Sequence, residues 1–286
     1  MSKKGEVTDL TTVDYSPKNT VLEMDEHNSR MKLLHYKSED IEALANHLAE
    51  LAEEKDIGKV MIYADPDDTK AFEEMGFEKE GEISVFFNGE PAVILSRFID
   101  GRRAVEKDAE KKDEIVELAE RKETITEPPE LDPSFTLRHA TEEDAEELAA
   151  LYRTVFETYP TPVHDPEFIK KCLRNHVYFS VVTHNGKIVS AASADVFTRY
   201  NCAEITDCAT HPDYRGKGLL SAIIFDLEKR MRARGVPNLF SLTRAVSVGM
   251  NIVISRHGFE YKGRLIQNSQ IAGRFEDMNI WVKKLD

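Results

Sequence analysis

Ala203-Glu204-Ile205-Thr206-Asp207-Cys208-Ala209-Thr210-His211-Pro212-Asp213-Tyr214-Arg215-Gly216-Lys217-Gly218-Leu219-Leu220 is the stretch on which the fold turns. It reads as a strand, a short turn, a glycine-bearing loop and the opening of a long helix. That helix continues to Arg234, with Leu219, Leu220, Ile223, Ile224, Leu227 and Met231 at helical spacing. Glycines let backbone approach a ligand closely, and the free N–H groups of a first helical turn point at whatever lies there. With the helix dipole added, the loop is an anion site that suits a diphosphate. It lacks the Gly-Lys-Ser/Thr ending and the spacing of a nucleoside-triphosphate loop. It also lacks the third glycine and downstream acid of a dinucleotide fingerprint.

Arg215-Gly216-Lys217-Gly218 behind a Pro-Asp-Tyr turn resembles the acetyl-CoA loop of the GCN5-related N-acetyltransferases (GNAT), whose pattern is Gln/Arg-x-x-Gly-x-Gly/Ala. Arg215 and Gly218 fill the first two fixed positions, and Leu220 departs at the third, where a small residue is usual. The resemblance implies acetyl-CoA as donor. It places Cys208, Ala209 and Thr210 on one side of the donor and Arg215, Gly216, Lys217, Gly218, Leu219 and Leu220 on the other.

The chain has 286 residues, 41% of them hydrophobic, enough for one large domain or two ordinary ones. A formal net charge of −14 argues against a nucleic-acid partner and fits a cationic small molecule. The three cysteines, Cys172, Cys202 and Cys208, have no metal-ligand spacing and suit reduced, intracellular thiols. The N-terminus lacks the apolar core of a signal peptide, and no apolar run approaches membrane length. The expectation is a cytoplasmic protein with no metal and no membrane partner.

A helix over Glu39–Lys55, a strand over Lys59–Ala64 and a short helix ending at Gly76 are followed by two strands around Asn88-Gly89. The same order recurs from Leu219 to the C-terminus, and the copies share Gly-Phe-Glu-x-x-Gly at Gly76–Gly81 and Gly258–Gly263. The N-terminal copy has no phosphate loop before its first helix. We therefore expect three parts. Residues 1–100 form a smaller α/β domain like a degenerate half of the acetyltransferase fold, with a loose or strand-forming lead over its first twenty or so residues. Residues 101–133 form a solvated charged helix and a Pro-rich linker, and residues 134–286 the catalytic domain. The fold class is α/β, with a mixed, mostly antiparallel seven-strand sheet in the catalytic part. The N-terminal part is structural or helps to wall the acceptor pocket.

Acetyl transfer to an amine requires the neutral amine, although a lysine-type amine has a reference pKa near ~10.4. A carboxylate must hold the cation and remove a proton. Ala203-Glu204-Ile205-x-x-Cys208-Ala209 is similar to the Ala-Glu-Ile-x-x-Cys-Ala of the GCN5 histone acetyltransferases, which makes Glu204 the base and the Cys208 amide the group that polarises the thioester carbonyl. The Cys208 thiol is then a packing group. Asp207 is the rival base; in a regular strand it faces away from Glu204, and a bulge brings it round. Ile254 stands where many family members carry the tyrosine acid, so Tyr214 or another group serves, or the thiolate leaves unaided.

Further motifs, Tyr159-Pro160-x-Pro162, Ala203–Thr210, Thr243-Arg244-Ala245, Met250-Asn251 and Glu276-Asp277-Met278-Asn279-Ile280-Trp281, look like those of the β-lysine N6-acetyltransferases. That resemblance covers essentially the whole chain. It implies β-lysine, supplied by lysine 2,3-aminomutase, as acceptor and the compatible solute Nε-acetyl-β-lysine as product. Glu204, Glu276 and Asp277 then meet the amines, Arg244 or Arg199 the carboxylate, and Tyr159 covers the acceptor. Asn279 is open between site and structure, and Trp281 is expected in the core. Another small amine, a protein lysine, or a CoA-binding sensor without turnover remain as alternatives.

Overall fold

The computed structural model describes residues 21–37 and 41–285, so the lead expected over residues 1–20 lies outside the described residues. The N-terminal hundred residues carry β1 (Val21–Asp25), β2 (Arg30–His35), α1 (Ile41–Glu54), β3 (Lys59–Ala64), α2 (Thr69–Glu74), β4 (Glu78–Phe87) and β5 (Glu90–Phe98). Helix α3 (Ala109–Glu120) and the linker lead into β6 (Phe135–His139), α4 (Ala145–Val155), α5 (Pro166–Arg174), β7 (Val177–His184), β8 (Lys187–Phe197) and β9 (Cys202–Thr210). The chain closes with α6 (Leu219–Ala233), β10 (Asn238–Arg244), α7 (Val248–Arg256), β11 (Glu260–Ile271) and β12 (Arg274–Lys284). Capping chemistry sets several of these ends. Thr141 and Asp144 form the expected reciprocal capping box before α4, and Asp165 caps α5 through the Glu167 amide.

The seven strands expected in the C-terminal part are present, ordered β11-β12-β10-β9-β8-β7-β6, but the sheet does not stop there. Strand β11 pairs with β4, and β4-β5-β3-β2-β1 continue the same sheet to twelve strands among the described residues. All neighbouring pairs are antiparallel except β2 with β3 and β9 with β10.

The repeated sequence order is also a repeated pairing. In each copy a parallel pair (β2 with β3, β9 with β10) is followed by an antiparallel neighbour (β5, β12) and that strand's hairpin mate (β4, β11). The copies meet at Gly81 and Gly263, the last glycines of the two Gly-Phe-Glu-x-x-Gly segments. A methyl group on Gly263 (φ +132°) would lie 2.4 Å from the Glu80 carbonyl oxygen, and one on Gly81 would lie 2.6 Å from that of Lys262. Only two glycines facing each other bring these strands within bonding range. Beside them Glu80 binds the buried Lys59 ammonium, the Ser96 hydroxyl and the Ile266 amide, so β3, β4, β5 and β11 are tied at one carboxylate.

Helices α1 and α2 cover one face of the N-terminal strands, with Leu48, Leu51 and Phe72 packed on Leu33, Val60 and Ile62. Helices α6 and α7 cover the corresponding face of the C-terminal strands through Ile223, Leu227 and Ile254. On the other face the sheet curls so that its halves pack on each other, Leu34, Met61, Tyr63 and Phe86 against Cys202, Phe240 and Ile280. The Tyr200 hydroxyl donates to the Leu34 carbonyl at 3.0 Å, and the Asn88 amide to the Tyr200 carbonyl at 2.7 Å. Helix α3 corrects the expectation of a solvated connector. Its Ile115, Val116 and Ala119 are buried, Ser255 of α7 bonds the Ala119 carbonyl, and Lys112 reaches Asp277 on β12.

Replacing Gly263 by Ala should cost about 2–4 kcal/mol in urea unfolding, from backbone collision added to conformational strain. Gly186→Ala, where φ is +77° but nothing lies within 4 Å, should cost only about 1–2 kcal/mol. Equal losses at the two positions would remove the seam from this account.

Candidate active site

Strand β9 builds the site by leaving its neighbour. It pairs with β10 only at Cys202–Asn238, Ala203–Leu239 and Glu204–Phe240. The Ser241 hydroxyl then bonds the Ile205 carbonyl at 2.7 Å, and the strands part. Into the gap open Thr206, Cys208 and Thr210 from one side and Leu242 and Arg244 from the other. The resulting cleft, about 1060 Å³, runs from the Arg215–Ser221 loop to the N-terminal strands.

A second irregularity turns both candidate bases to this cleft. Four residues of β9, Thr206 to Ala209, lie opposite three of β8, Ser193 to Ala191, and Asp207 within the bulge has φ +51°. Glu204 and Asp207 consequently line one space. Their surroundings differ. Asp207 accepts from the Ser193 hydroxyl at 2.7 Å and is hydrogen-bonded by Tyr159. Burial raises its pKa and these two bonds oppose the rise. Tyr159 is stacked on Phe156 at 4.6 Å, so Asp207 moors the Tyr159–Pro162 loop.

The Glu204 carboxylate has no hydrogen bond of this kind among the described residues. Its cross-strand neighbour on β8 is Asp195. Burial first, and the Asp195 charge second, push its pKa up to about 8, against the pull of Lys32 and Arg30 from β2. Burial likewise holds the Cys208 thiol protonated, which leaves it a packing group.

The donor loop follows β9. Gly216 (φ +76°) and Gly218 (φ +74°) adopt the left-handed conformation, and the space beside Gly216 is open to 4 Å. The amides of Leu219, Leu220 and Ser221 precede the first intrahelical bond, from Ala222 to Gly218 at 3.0 Å. Gly216, Gly218 and Ser221 line the cleft, and this cradle fits a diphosphate. The Leu219 side chain turns into the core, leaving its amide to the loop, and Leu220 is half-buried against the same core. Arg215 lies along the cleft with its Nε on the Thr210 carbonyl at 3.3 Å, whereas Lys217 is exposed and has Asp132 of the linker nearby. Pro129 of that linker packs over Gly218. Ala209 is buried beneath the sheet. The Tyr214 hydroxyl is 3.2 Å from His184 Nδ1, and Ile254, at the position of the usual acid, lies in the core.

The acceptor residues expected from the last strand are mostly structural. Asp277 takes Lys112 on one oxygen and the Gln267 amide on the other, and lies outside the cleft lining. Asn279 is fully buried between Arg264 and Asn251. The Asn251 side-chain oxygen also receives Thr243 at 2.7 Å and Trp281 at 3.0 Å, so the motif Glu276–Trp281 fastens α7 to β10 and β12. Trp281 is in the core, as expected. Glu276 is buried and serves Arg244 at 3.0 Å and Arg274 at 2.6 Å. Arg244 faces the cleft, with its buried Nε unpartnered. Arg199 is exposed at the β8–β9 turn, outside the lining.

Sequence reading passed over Asp195, Glu23 and Lys32, all of which line the cleft. The available signal was a charged residue inside an otherwise apolar strand, as in Met31-Lys32-Leu33-Leu34. Among the described residues, no group of three or more His, Cys, Asp or Glu is placed to hold a metal ion. No helix among them is long and apolar enough to cross a membrane.

The model of the Acetyltransferase (GNAT) family matches residues 145–259, which hold α4, the bulged strand, the donor loop and α7. The chain is 37% identical over 280 residues to the N-acetyltransferase YodP of Bacillus subtilis strain 168, covering 96% of this chain and all of that one. It is 30% identical over 267 residues to a β-lysine N(6)-acetyltransferase of Methanococcus maripaludis, 93% of this chain and 96% of the relative. Against a β-lysine N(6)-acetyltransferase of Methanosarcina mazei it is 34% identical over 264 residues, 85% and 97% of the two chains. Family match, full-length relatives and the diphosphate cradle beside a carboxylate agree: this chain belongs to the GNAT family and is an acetyl-CoA-dependent N-acetyltransferase.

Proposed function

We propose that the acceptor is β-lysine and the product Nε-acetyl-β-lysine, a compatible solute, formed in the cytoplasm after a lysine 2,3-aminomutase has supplied the substrate. The observation that carries this reading is the pair Glu204 and Asp195, opposite each other in register in a cleft that opens on the diphosphate loop. Two adjacent carboxylates suit an ammonium group, and the charges beyond them suit the rest of an amino acid. The acceptor named for two of the full-length relatives is β-lysine.

Magnitudes favour Glu204 as base. Moving a proton from an amine near ~10.4 to an ordinary carboxylate near ~4.3 is uphill by roughly 8 kcal/mol. With Glu204 at about 8 the same transfer is uphill by roughly 3 kcal/mol. The amine is held between Glu204 and Asp195, gives its proton to Glu204 and presents its lone pair toward the gap between β9 and β10. Acetyl-CoA, when bound, would supply the acetyl group: the C–S bond breaks as the C–N bond forms, and the second proton that the nitrogen sheds on becoming an amide neutralises the departing thiolate. Asp207 keeps the Tyr159 loop closed over this space.

The second reading is the same transfer to another small amine, favoured by the Glu204 and Asp195 pair, which suits any primary ammonium. Initial rates with β-lysine, α-lysine and a polyamine should give the highest kcat/KM for β-lysine, and a preference for α-lysine would overturn the assignment. Glu204→Gln should lower kcat by about 10²–10⁴-fold while acetyl-CoA binding by calorimetry stays intact. Unchanged turnover in that variant would sink Glu204 as base.

The pH profile gives an independent check. Since Asp195 raises the Glu204 pKa, Asp195→Asn should move the ascending limb of kcat/KM to lower pH than in the parent. The acceptor's own ionisation is common to both profiles, so a limb that stays in place would separate Asp195 from the base.

A further inference from the structure

Two ion pairs sit across β1 and β2 on one face, Glu23 opposite Lys32 and Asp25 opposite Arg30. Both line the cleft, yet their bonding differs. Asp25 accepts from the Asn28 amide, the Asn28 side chain and Arg30 Nε. Arg30 also reaches the Asn268 carbonyl and Ser269 on β11. That pair is saturated and clamps the β1–β2 hairpin to β11. Glu23 and Lys32 bond each other at 3.1 Å, which uses one of the three N–H donors of the ammonium.

The register locates Lys32 relative to Glu204. Outward from the glycine seam, Gly81 pairs with Ile94, Ile94 with Tyr63, and two residues earlier on β3 Met61 pairs with Lys32. In the other copy Gly263 pairs with Ile280, Ile280 with Leu242, and two residues earlier on β10 Phe240 pairs with Glu204. Lys32 therefore holds in the N-terminal copy the place that Glu204 holds in the C-terminal copy, and both line one cleft. The charge of Lys32 is also the largest cationic influence on Glu204.

Stability does not explain such a pair. An ion pair with side chains only 4% and 17% exposed contributes little beyond what apolar residues of similar volume would, and Leu34, Met61 and Tyr63 line the cleft with it. We infer that Glu23 and Lys32 recognise the amino-acid end of the acceptor, Lys32 meeting its carboxylate and Glu23 its second ammonium, while Glu204 and Asp195 hold the amine that reacts. This rests on the acceptor reading above and assigns specificity to the half without a phosphate loop. Arg244, by contrast, stands at the end of β10 with its Nη2 given to Glu276.

Three acceptors isolate the two contacts. 1,4-Diaminopentane is β-lysine without its carboxylate, and 6-aminohexanoate lacks its second amine. The ratio of kcat/KM for β-lysine over 1,4-diaminopentane should fall by about tenfold or more in Lys32→Met and be largely kept in Lys32→Arg. The ratio for β-lysine over 6-aminohexanoate should fall by a similar factor in Glu23→Gln, which also serves should Lys32→Met fail to fold. Ratios within about threefold of the parent in the folded variants, or equal falls in Lys32→Met and Lys32→Arg, would overturn the inference. If the parent chain prefers α-lysine, the acceptor assignment fails alone; α-lysine carries the same three groups and takes the place of β-lysine in both ratios, with 1,5-diaminopentane as its carboxylate-free counterpart.

Discussion

Everything at this site depends on the parting of β9 from β10 after three paired residues. A sheet that stayed zipped would satisfy its own backbone groups and leave no room between strands. Once the strands separate, the β9 backbone beyond Glu204 has lost its neighbour, and buried N–H and C=O groups demand partners. A ligand that supplies them completes the sheet. The bulge at Asp207 belongs to the same constraint, because it shifts the face presented by β9 where the neighbour has gone. The helix that follows then begins with unbonded amides beside the gap.

The electrostatics follow from that opening. Like charges opposite each other in antiparallel register are unfavourable, and Asp195 with Glu204 is such a pair in a poorly hydrated place. Burial first, and this repulsion second, leave Glu204 a carboxyl group that holds its proton far above the usual range, which narrows the pKa gap to an amine. Asp207 shows the contrast: with two hydrogen bonds it is committed to the Tyr159 loop.

The donor side was legible because it is local. A strand, two glycines and an amphipathic helix lie within one stretch, and their chemistry needs no distant partner. The repeat was legible for the same reason, yet its meaning was not: that Gly81 faces Gly263 is a pairing between segments 182 residues apart, and no periodicity encodes it. On the acceptor side the cleft takes in Glu204, Tyr159 and Arg244 of the expected residues but not Glu276, Asp277, Asn279 or Arg199. A carboxylate on a strand looks alike in sequence whether it faces a substrate or, like Asp277, a buried lysine. The motif ending in Trp281 drew attention as a substrate signature, whereas its polar groups converge on Asn251. Lys32 and Glu23 drew none, since only the curl of the sheet carries β1 and β2 to the cleft.

The glycine seam makes the two copies nearly symmetric in backbone, but the residues at matching positions, Lys32 and Glu204, differ in sign. A symmetric frame with antisymmetric charge has a polarity of its own. A substrate with an amine at each of two carbons and an acid at one end can then lie in it only one way round. For the proposed acceptor, regiochemistry would follow: the amine remote from the acid would be delivered to Glu204, and the one beside the acid kept away from the donor.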